Sequence, residues 1–335
     1  MDSKVHYIVG IGRSGSTLLT TILNSHSKIK GVPEIRIIIY FLNQYKKKQK
    51  IDDEFVSYIK DYVEEYQSIR PSNVVNLHSE KIETPGEDNG FFEYCKEVFS
   101  YFDINGVHGS KDIYIDKNPP YTYHYNRLNS LSGESKFIIL VRDYRANILS
   151  RKQKQYAKSG NVAFNAFNWR FFHKEIEKYR NQSNCIVVRY EDLVSNLEEE
   201  LLKICDFIDV EFEEGLLNYQ KIDFNKSEIK KGVTDKFVKH HFKGLKKDVN
   251  TSRINAWKKQ LTAKEIKTAE QICGKIGTRY QYNLENTQGG FSFVYLLHFK
   301  QYLKACTVHY KEKVTFYLPI KFKMKRFKKS MERLK

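Results

Sequence analysis

Apolar residues in this chain gather into short runs, and each run stops at a turn or a charge. Val5–Val9 (VHYIV) is β-prone, while Phe137–Val141 (FIILV) and Cys185–Val188 (CIVV) are uniformly apolar. Unbroken runs of that length suit strands covered on both faces. Helical spacing follows each run. Leu18, Leu19, Ile22 and Leu23 share one face of a helix over 17–25, a second helix is expected from Ala146 onward, and a third over 197–208. Repeated strand–helix units predict an α/β fold with a doubly wound parallel sheet flanked by helices. Such sheets bind ligands beyond the carboxyl ends of their strands, which is where Arg13 and Arg142 fall.

The rhythm breaks over residues 41–110. These are lysine-rich at 46–50 and interrupted by Pro85-Gly86 and Asn89-Gly90. A helical insertion is expected there, covering the site and shaping acceptor choice. Residues 229–256 are basic and loop-like, and no internal repeat is present. The organisation expected is a catalytic domain over 1–285 and a basic, aromatic C-terminal extension over 286–335.

Composition narrows the picture. At 335 residues, with 41% hydrophobic and 14% aromatic content, the chain buries a sizeable core. The net charge of +17 favours anionic partners. Residues 286–335 carry 12 Lys/Arg against two acids, so much of that charge sits outside the motif-bearing part. The end of the chain, "LPIKFKMKRFKKSMERLK" (318–335), mixes lysines with Phe322, Met324, Phe327 and Met331. It is either a solvated end or a segment for an anionic membrane surface. Nucleic-acid binding is not expected, because no recognition motif accompanies the charge. Five scattered cysteines without CxxC spacing predict neither a disulfide framework nor a zinc site, and a reduced compartment. No signal peptide or anchor pattern is visible, so the expected location is cytoplasmic, possible contact with the membrane face included.

The first strand leads into "VGIGRSGSTLL", Val9–Leu19. A nucleoside-triphosphate loop has glycine, four residues, then Gly-Lys-Ser/Thr. Here Ser16 stands where the lysine belongs, and Arg13 supplies a cation three residues earlier. Strand, glycine turn and helix together make a P-loop-like anion site, since backbone N–H groups converge at the helix N-terminus. Gly12, Arg13, Ser14, Gly15, Ser16 and Thr17 are its candidate binding residues.

Arg13-Ser-Gly-Ser-Thr after the first strand, together with Arg142 and Ser150 after a middle strand, resembles the sulfotransferases. That family uses 3'-phosphoadenosine 5'-phosphosulfate (PAPS) as donor. The landmarks continue through Asp116-Lys117-Asn118-Pro119, Val188–Leu193 and Ile254–Leu261, covering about residues 5–282. The resemblance implies that the loop cradles the 5'-phosphosulfate and that Arg142 and Ser150 bind the 3'-phosphate. It also places Tyr190 near the nucleotide and Ser252 over the 3'-phosphate, with no metal. The altered loop fits this donor, which has no β,γ-phosphate chain for a lysine to reach.

Pro119 occupies the position where small-molecule sulfotransferases carry a histidine, so the chain departs from that branch. It looks instead like the branch of tyrosylprotein and bacterial-type carbohydrate sulfotransferases. In that branch a glutamate lies 21 residues after the loop arginine, with an arginine two further on. Glu34 and Arg36 in "GVPEIRI" hold those positions. The implied roles are Glu34 as general base, Lys117 on the bridging oxygen, Arg13 on the phosphosulfate, and Arg36 holding the acceptor or Glu34. Ser27 and Pro33 depart from the tyrosylprotein pattern, and a saccharide or glycolipid hydroxyl is the expected acceptor. Two other readings stay open: an ATP-dependent P-loop phosphotransferase, and a non-catalytic module that binds anionic membrane or glycan.

Overall fold

The computed structural model describes residues 3–69, 75–86, 89–104, 106–153, 160–221, 251–285 and 291–332. Strand β1 (Lys4–Val9) leads to helix α1 (Ser16–Leu23), β2 (Ile29–Val32), α2 (Ile37–Lys48) and α3 (Asp53–Gln67). A small antiparallel ribbon, β3 (Val75–Leu77) with β4 (Phe102–Ile104), brackets α4 (Phe91–Ser100). Then come β5 (Ile113–Lys117), α5 (Tyr125–Asn129), β6 (Phe137–Val141), α6 (Tyr144–Lys152), α7 (Val162–Ile176) and β7 (Cys185–Arg189). Helices α8 (Tyr190–Ser195), α9 (Leu197–Phe207), α10 (Ala256–Gln260) and α11 (Ala263–Gly277) follow. The chain closes with α12 (Phe291–Leu297), α13 (Phe299–Thr315) and α14 (Ile320–Glu332). Of the basic segment 229–256, only residues from 251 onward lie within the described residues.

Five parallel strands form the main sheet in the order β2-β5-β1-β6-β7. Its apolar runs are two-sided. Val5, Tyr7, Val9, Phe137, Ile139 and Val141 pack into the larger core with α2, α3, α4 and α7. Ile8, Ile138 and Leu140 point to the other face, against Leu19, Ile22 and Leu23 of α1 and Leu201 and Ile204 of α9. The period of two is thus present inside runs that read as continuous, because helices cover both faces.

Three expectations change. The run Cys185–Val188 is the edge strand, and Cys185, Ile186 and Val187 are only half-buried. Strands β2 and β5, which no apolar run announced, carry buried charge instead. Lys30 in β2 is fully buried and its Nζ donates to the carbonyls of Ser100 (3.2 Å) and Phe102 (2.8 Å). Asp116 in β5 accepts from Tyr121 Oη (2.8 Å) and Asn118 Nδ2 (2.7 Å), while burial raises its pKa to about 8. Burying such groups is tolerable only with partners in place, as here.

The C-terminal extension is the third change. Val294, Ala305, Phe316 and Met324 belong to the larger core, and the Phe327 ring packs at a tilt against Tyr62 of α3. Lys323 is buried, donating to the Tyr40 carbonyl while its own carbonyl accepts from Tyr40 Oη (3.2 Å). Burial lowers the Lys323 pKa to about 8. Residues 320–332 are therefore a docked helix with an inward face and not a solvated end, because their apolar positions recur at helical spacing. Among the described residues, no helix is long and apolar enough to cross a membrane.

Candidate active site

Each strand of the main sheet delivers part of one site at its carboxyl end, as open α/β sheets do. β1 ends in the loop 10–15, β2 leads to Glu34 and Arg36, and β5 ends in Lys117. β6 leads to Arg142, and β7 to Tyr190.

The loop is built from constrained backbone. Gly10, Arg13 and Gly15 have φ of 138°, 75° and 95°. A β-carbon at Gly10 would lie 2.3 Å from the Leu140 carbonyl oxygen, and one at Gly15 would lie 2.5 Å from the Tyr190 ring. Glycine is needed at both for space and for φ. Arg13 adopts the left-handed region as a non-glycine, at a cost of about 1–2 kcal/mol. Its carbonyl thereby accepts from Arg142 Nη1 at 3.1 Å. Gly10 N–H is held by Thr122 Oγ1 at 3.0 Å.

Helix α1 starts at Ser16 with no side-chain cap and no acid in its first turn. Its first N–H groups thus lack the side-chain acceptor that usually satisfies them, and the positive end of the dipole points into the loop. Ser14 is buried and accepts from Asn147 Nδ2 at 3.3 Å.

Around this loop three guanidinium groups converge. Arg13 Nε donates to Ser150 Oγ at 3.3 Å, and Arg151 Nη2 donates to the Gly12 carbonyl at 2.9 Å. Arg142 Nη2 donates to the Arg253 carbonyl at 3.4 Å, and the group stacks 4.2 Å from the Tyr190 ring centroid. Among the described residues none of the three has a carboxylate partner, and Arg142 Nε is buried without any acceptor. Burial lowers the Arg142 pKa against the opposing effect of Tyr190 and Glu191, and Arg13 and Arg253 add to the lowering. Burial and the neighbouring Arg13 bring Arg151 to about 10. Crowded cations without a carboxylate in ion-pair contact favour an anion. A phosphorylated donor with two separate phosphate groups fits this set.

The acceptor side meets the loop at Lys117. Its ammonium is buried and donates to Glu34, and it lies 3.4 Å from Thr17 Oγ1. Arg36 N–H donates to Tyr62 Oη at 3.3 Å, and its guanidinium pairs with Glu312 of α13 at 3.1 Å. Glu312 raises the Arg36 pKa against the opposing effect of burial. Arg36, Tyr40, His124, Glu312, Phe316 and Lys323 line a hollow.

The structure brings Gly12, Arg13, Ser14, Gly15, Ser16 and Thr17 into one loop, with Arg142, Ser150 and Tyr190 around it. Ser252 lies in the turn Thr251–Arg253, whose last carbonyl meets Arg142. Glu34 and Lys117 touch, and Arg36 pairs with Glu312 of α13. Four participants escaped the sequence reading: Asn147, Arg151, Thr122 and Glu312. Asn147, Ser150 and Arg151 lie at i, i+3 and i+4 of α6, so helical spacing from Ser150 was a usable signal. Nothing local marks Glu312, 276 residues from Arg36.

The family model for the sulfotransferase family matches residues 7–214. Protein-tyrosine sulfotransferase A of Caenorhabditis elegans is 23% identical over 273 residues, 75% of this chain and 60% of that protein. Protein-tyrosine sulfotransferase 2 of Gallus gallus is 22% identical over 263 residues, 75% of this chain and 62% of that protein. The chain thus spans less than two thirds of the length of these two curated relatives. Among solved structures, the sulfotransferase domain of the Synechococcus PCC 7002 olefin synthase has the same fold. Its TM-score is 0.52 at 20% identity, covering 84% of this chain and 96% of that one. The chain belongs to the sulfotransferase family, the enzymes that take their sulfuryl group from PAPS.

Proposed function

We propose that this chain moves the sulfuryl group of PAPS to an acceptor hydroxyl, with Glu34 as the general base. The observation that carries the reading is the meeting of Glu34, Lys117 and Thr17 at the mouth of the loop that Arg13, Arg142 and Arg151 surround. PAPS supplies an activated sulfuryl group whose departure leaves adenosine 3',5'-bisphosphate. Loop N–H groups and Arg13 hold the negative oxygens at one end of the donor. Arg142, Ser150 and the turn carrying Ser252 hold the 3'-phosphate at the other, with Tyr190 beside Arg142. Lys117 sets its positive charge where the leaving oxygen gains charge, so that stabilisation grows along the reaction. Glu34 accepts the hydroxyl proton, and its contact with Lys117 fixes its place before the acceptor arrives. Arg36 shapes the acceptor side.

A saccharide hydroxyl, free or on a glycolipid, is the acceptor favoured. Ser27 and Pro33 depart from the tyrosylprotein pattern, and Arg36 is already paired with Glu312, which leaves Lys323 as the further cation lining the hollow. A second reading is a tyrosyl hydroxyl, supported by the names of the relatives above. Incubation of the full chain with PAPS and a panel of neutral saccharides, glycolipids and acidic tyrosyl peptides, read by mass spectrometry, tests both. Sulfated saccharide is the expected product. Sulfated peptide alone would select the second reading, and no sulfated product from any acceptor would count against transfer.

A further inference from the structure

Among the described residues, ten of the twelve exposed large apolar side chains lie between Phe293 and Phe322. Leu296 is 73% exposed, and Phe293 and Leu297 are each 63% exposed, all on the short helix α12. On α13, Phe299, Leu303, Tyr310 and Val314 are also exposed. At 3.6 residues per turn these four fall within an arc of about 60°. Exposed Lys300, Lys304 and Lys311 form a parallel row beside that stripe. Ala305 and His309 occupy the opposite side and are buried against the body of the protein. The helix is thus amphipathic twice over. One side is packed, and the other presents an apolar stripe edged with ammonium groups.

We infer that α12 and α13 form a docking face for an anionic lipid surface. Apolar side chains flanked by lysines suit the boundary between head groups and acyl chains. There the stripe leaves water while the ammonium groups reach the phosphates. Charge decides against the other obvious occupant. Helices α12 and α13 carry four lysines and one acid, Glu312, which already pairs with Arg36, so a second copy laid on this face would bring like charges together. An anionic bilayer accepts both the stripe and the charge. The face differs from the one read in the sequence at 318–335. Lys323, Met324 and Met331 of that segment are turned inward, and the exposed apolar residues lie mostly upstream. Glu312 projects from α13 to Arg36, so this helix joins the docking face to the acceptor side.

Co-sedimentation of the full chain with phosphatidylcholine vesicles, with and without phosphatidylserine, tests the inference. Two variants accompany it. One is Phe299→Ser/Leu303→Ser/Val314→Ser, and the other is Lys300→Glu/Lys304→Glu/Lys311→Glu. All six side chains are exposed, so thermal unfolding should match the wild type. The wild type is expected to bind only vesicles containing phosphatidylserine, and less so at high salt. The lysine variant should lose roughly a hundredfold in partitioning, and the apolar variant roughly tenfold or more. Failure of the wild type to bind at low salt would overturn the inference. So would a wild-type dimer in sedimentation velocity that the apolar variant abolishes without any vesicle binding.

Discussion

The buried ammonium of Lys117 donates to the carboxylate of Glu34, linking the end of β5 to the segment that follows β2. The pair stands beside Thr17 at the start of α1, so the proposed base and the proposed stabiliser of the leaving oxygen meet at the anion loop. Glu34→Gln keeps the shape and the hydrogen bond but cannot take a proton. It is expected to lower kcat by roughly 10²–10⁴-fold while leaving the affinity for adenosine 3',5'-bisphosphate near the wild-type value. Steady-state kinetics and calorimetry check the two halves separately. Unchanged turnover would remove Glu34 from the chemistry.

Gly15 is constrained by its φ of 95° and by the Tyr190 ring. Gly15→Ala should therefore distort the loop, with roughly 1–3 kcal/mol of backbone strain in addition to the clash. Adding Tyr190→Ala removes the clash but not the φ strain, so only part of the lost stability should return. Urea midpoints of the single and double variants measure this. Full recovery would mean that sterics alone require the glycine.

Glu312 neutralises Arg36 on the proposed acceptor side. Glu312→Gln leaves Arg36 without its counter-charge. It is expected to raise kcat/KM for an acidic tyrosyl peptide roughly tenfold while changing that for a neutral saccharide little. Equal effects on both acceptors would show that the pair only anchors α13.

His173 is fully buried and stacks on Trp169 at 3.5 Å. Its Nδ1–H donates to the Trp169 carbonyl at 2.8 Å, and Nε2 has no hydrogen-bond partner among the described residues. Burial lowers its pKa to about 3. The unfolded chain takes up this proton near pH 6.5 and the folded chain does not. The contribution is complete above pH 6.5 and is lost as pH falls from there toward 3. His173→Phe should flatten the loss of stability between pH 6.5 and pH 4 by up to about 3 kcal/mol. Asp116, raised to about 8 by burial, acts with the opposite sign and is common to both proteins. Denaturation midpoints at several pH values would show an unchanged slope if His173 were irrelevant.

The donor side of this site was legible in the sequence because its parts are local. Gly10 to Thr17 span one turn between a strand and a helix, and Arg142 and Ser150 sit within one strand–helix step. Strands β2 and β5 stayed hidden because Lys30 and Asp116 take core positions, satisfied by partners that only the fold supplies. The acceptor side was less legible for a related reason. Glu312 reaches Arg36 through tertiary packing of α13 on α7 and its neighbours, and no periodicity records that contact. The C-terminal extension looked solvated because its lysines are numerous. Its inward positions, Ala305, Phe316, Met324 and Met331, are spread thinly among them.

The central claim is that the loop and the convergent arginines bind a donor carrying a 5'-phosphate and a separate 3'-phosphate. Calorimetric titration with adenosine 3',5'-bisphosphate, against ATP and 5'-AMP, tests it most directly, on the wild type and on Arg142→Ala. Among the described residues Arg142 has a buried Nε without an acceptor, and a charge-assisted hydrogen bond is worth about 1.5–3 kcal/mol. The account predicts tight binding of the bisphosphate, weak binding of both controls, and roughly a tenfold to hundredfold loss in the variant. Preference for ATP, or bisphosphate binding indifferent to Arg142, would contradict it.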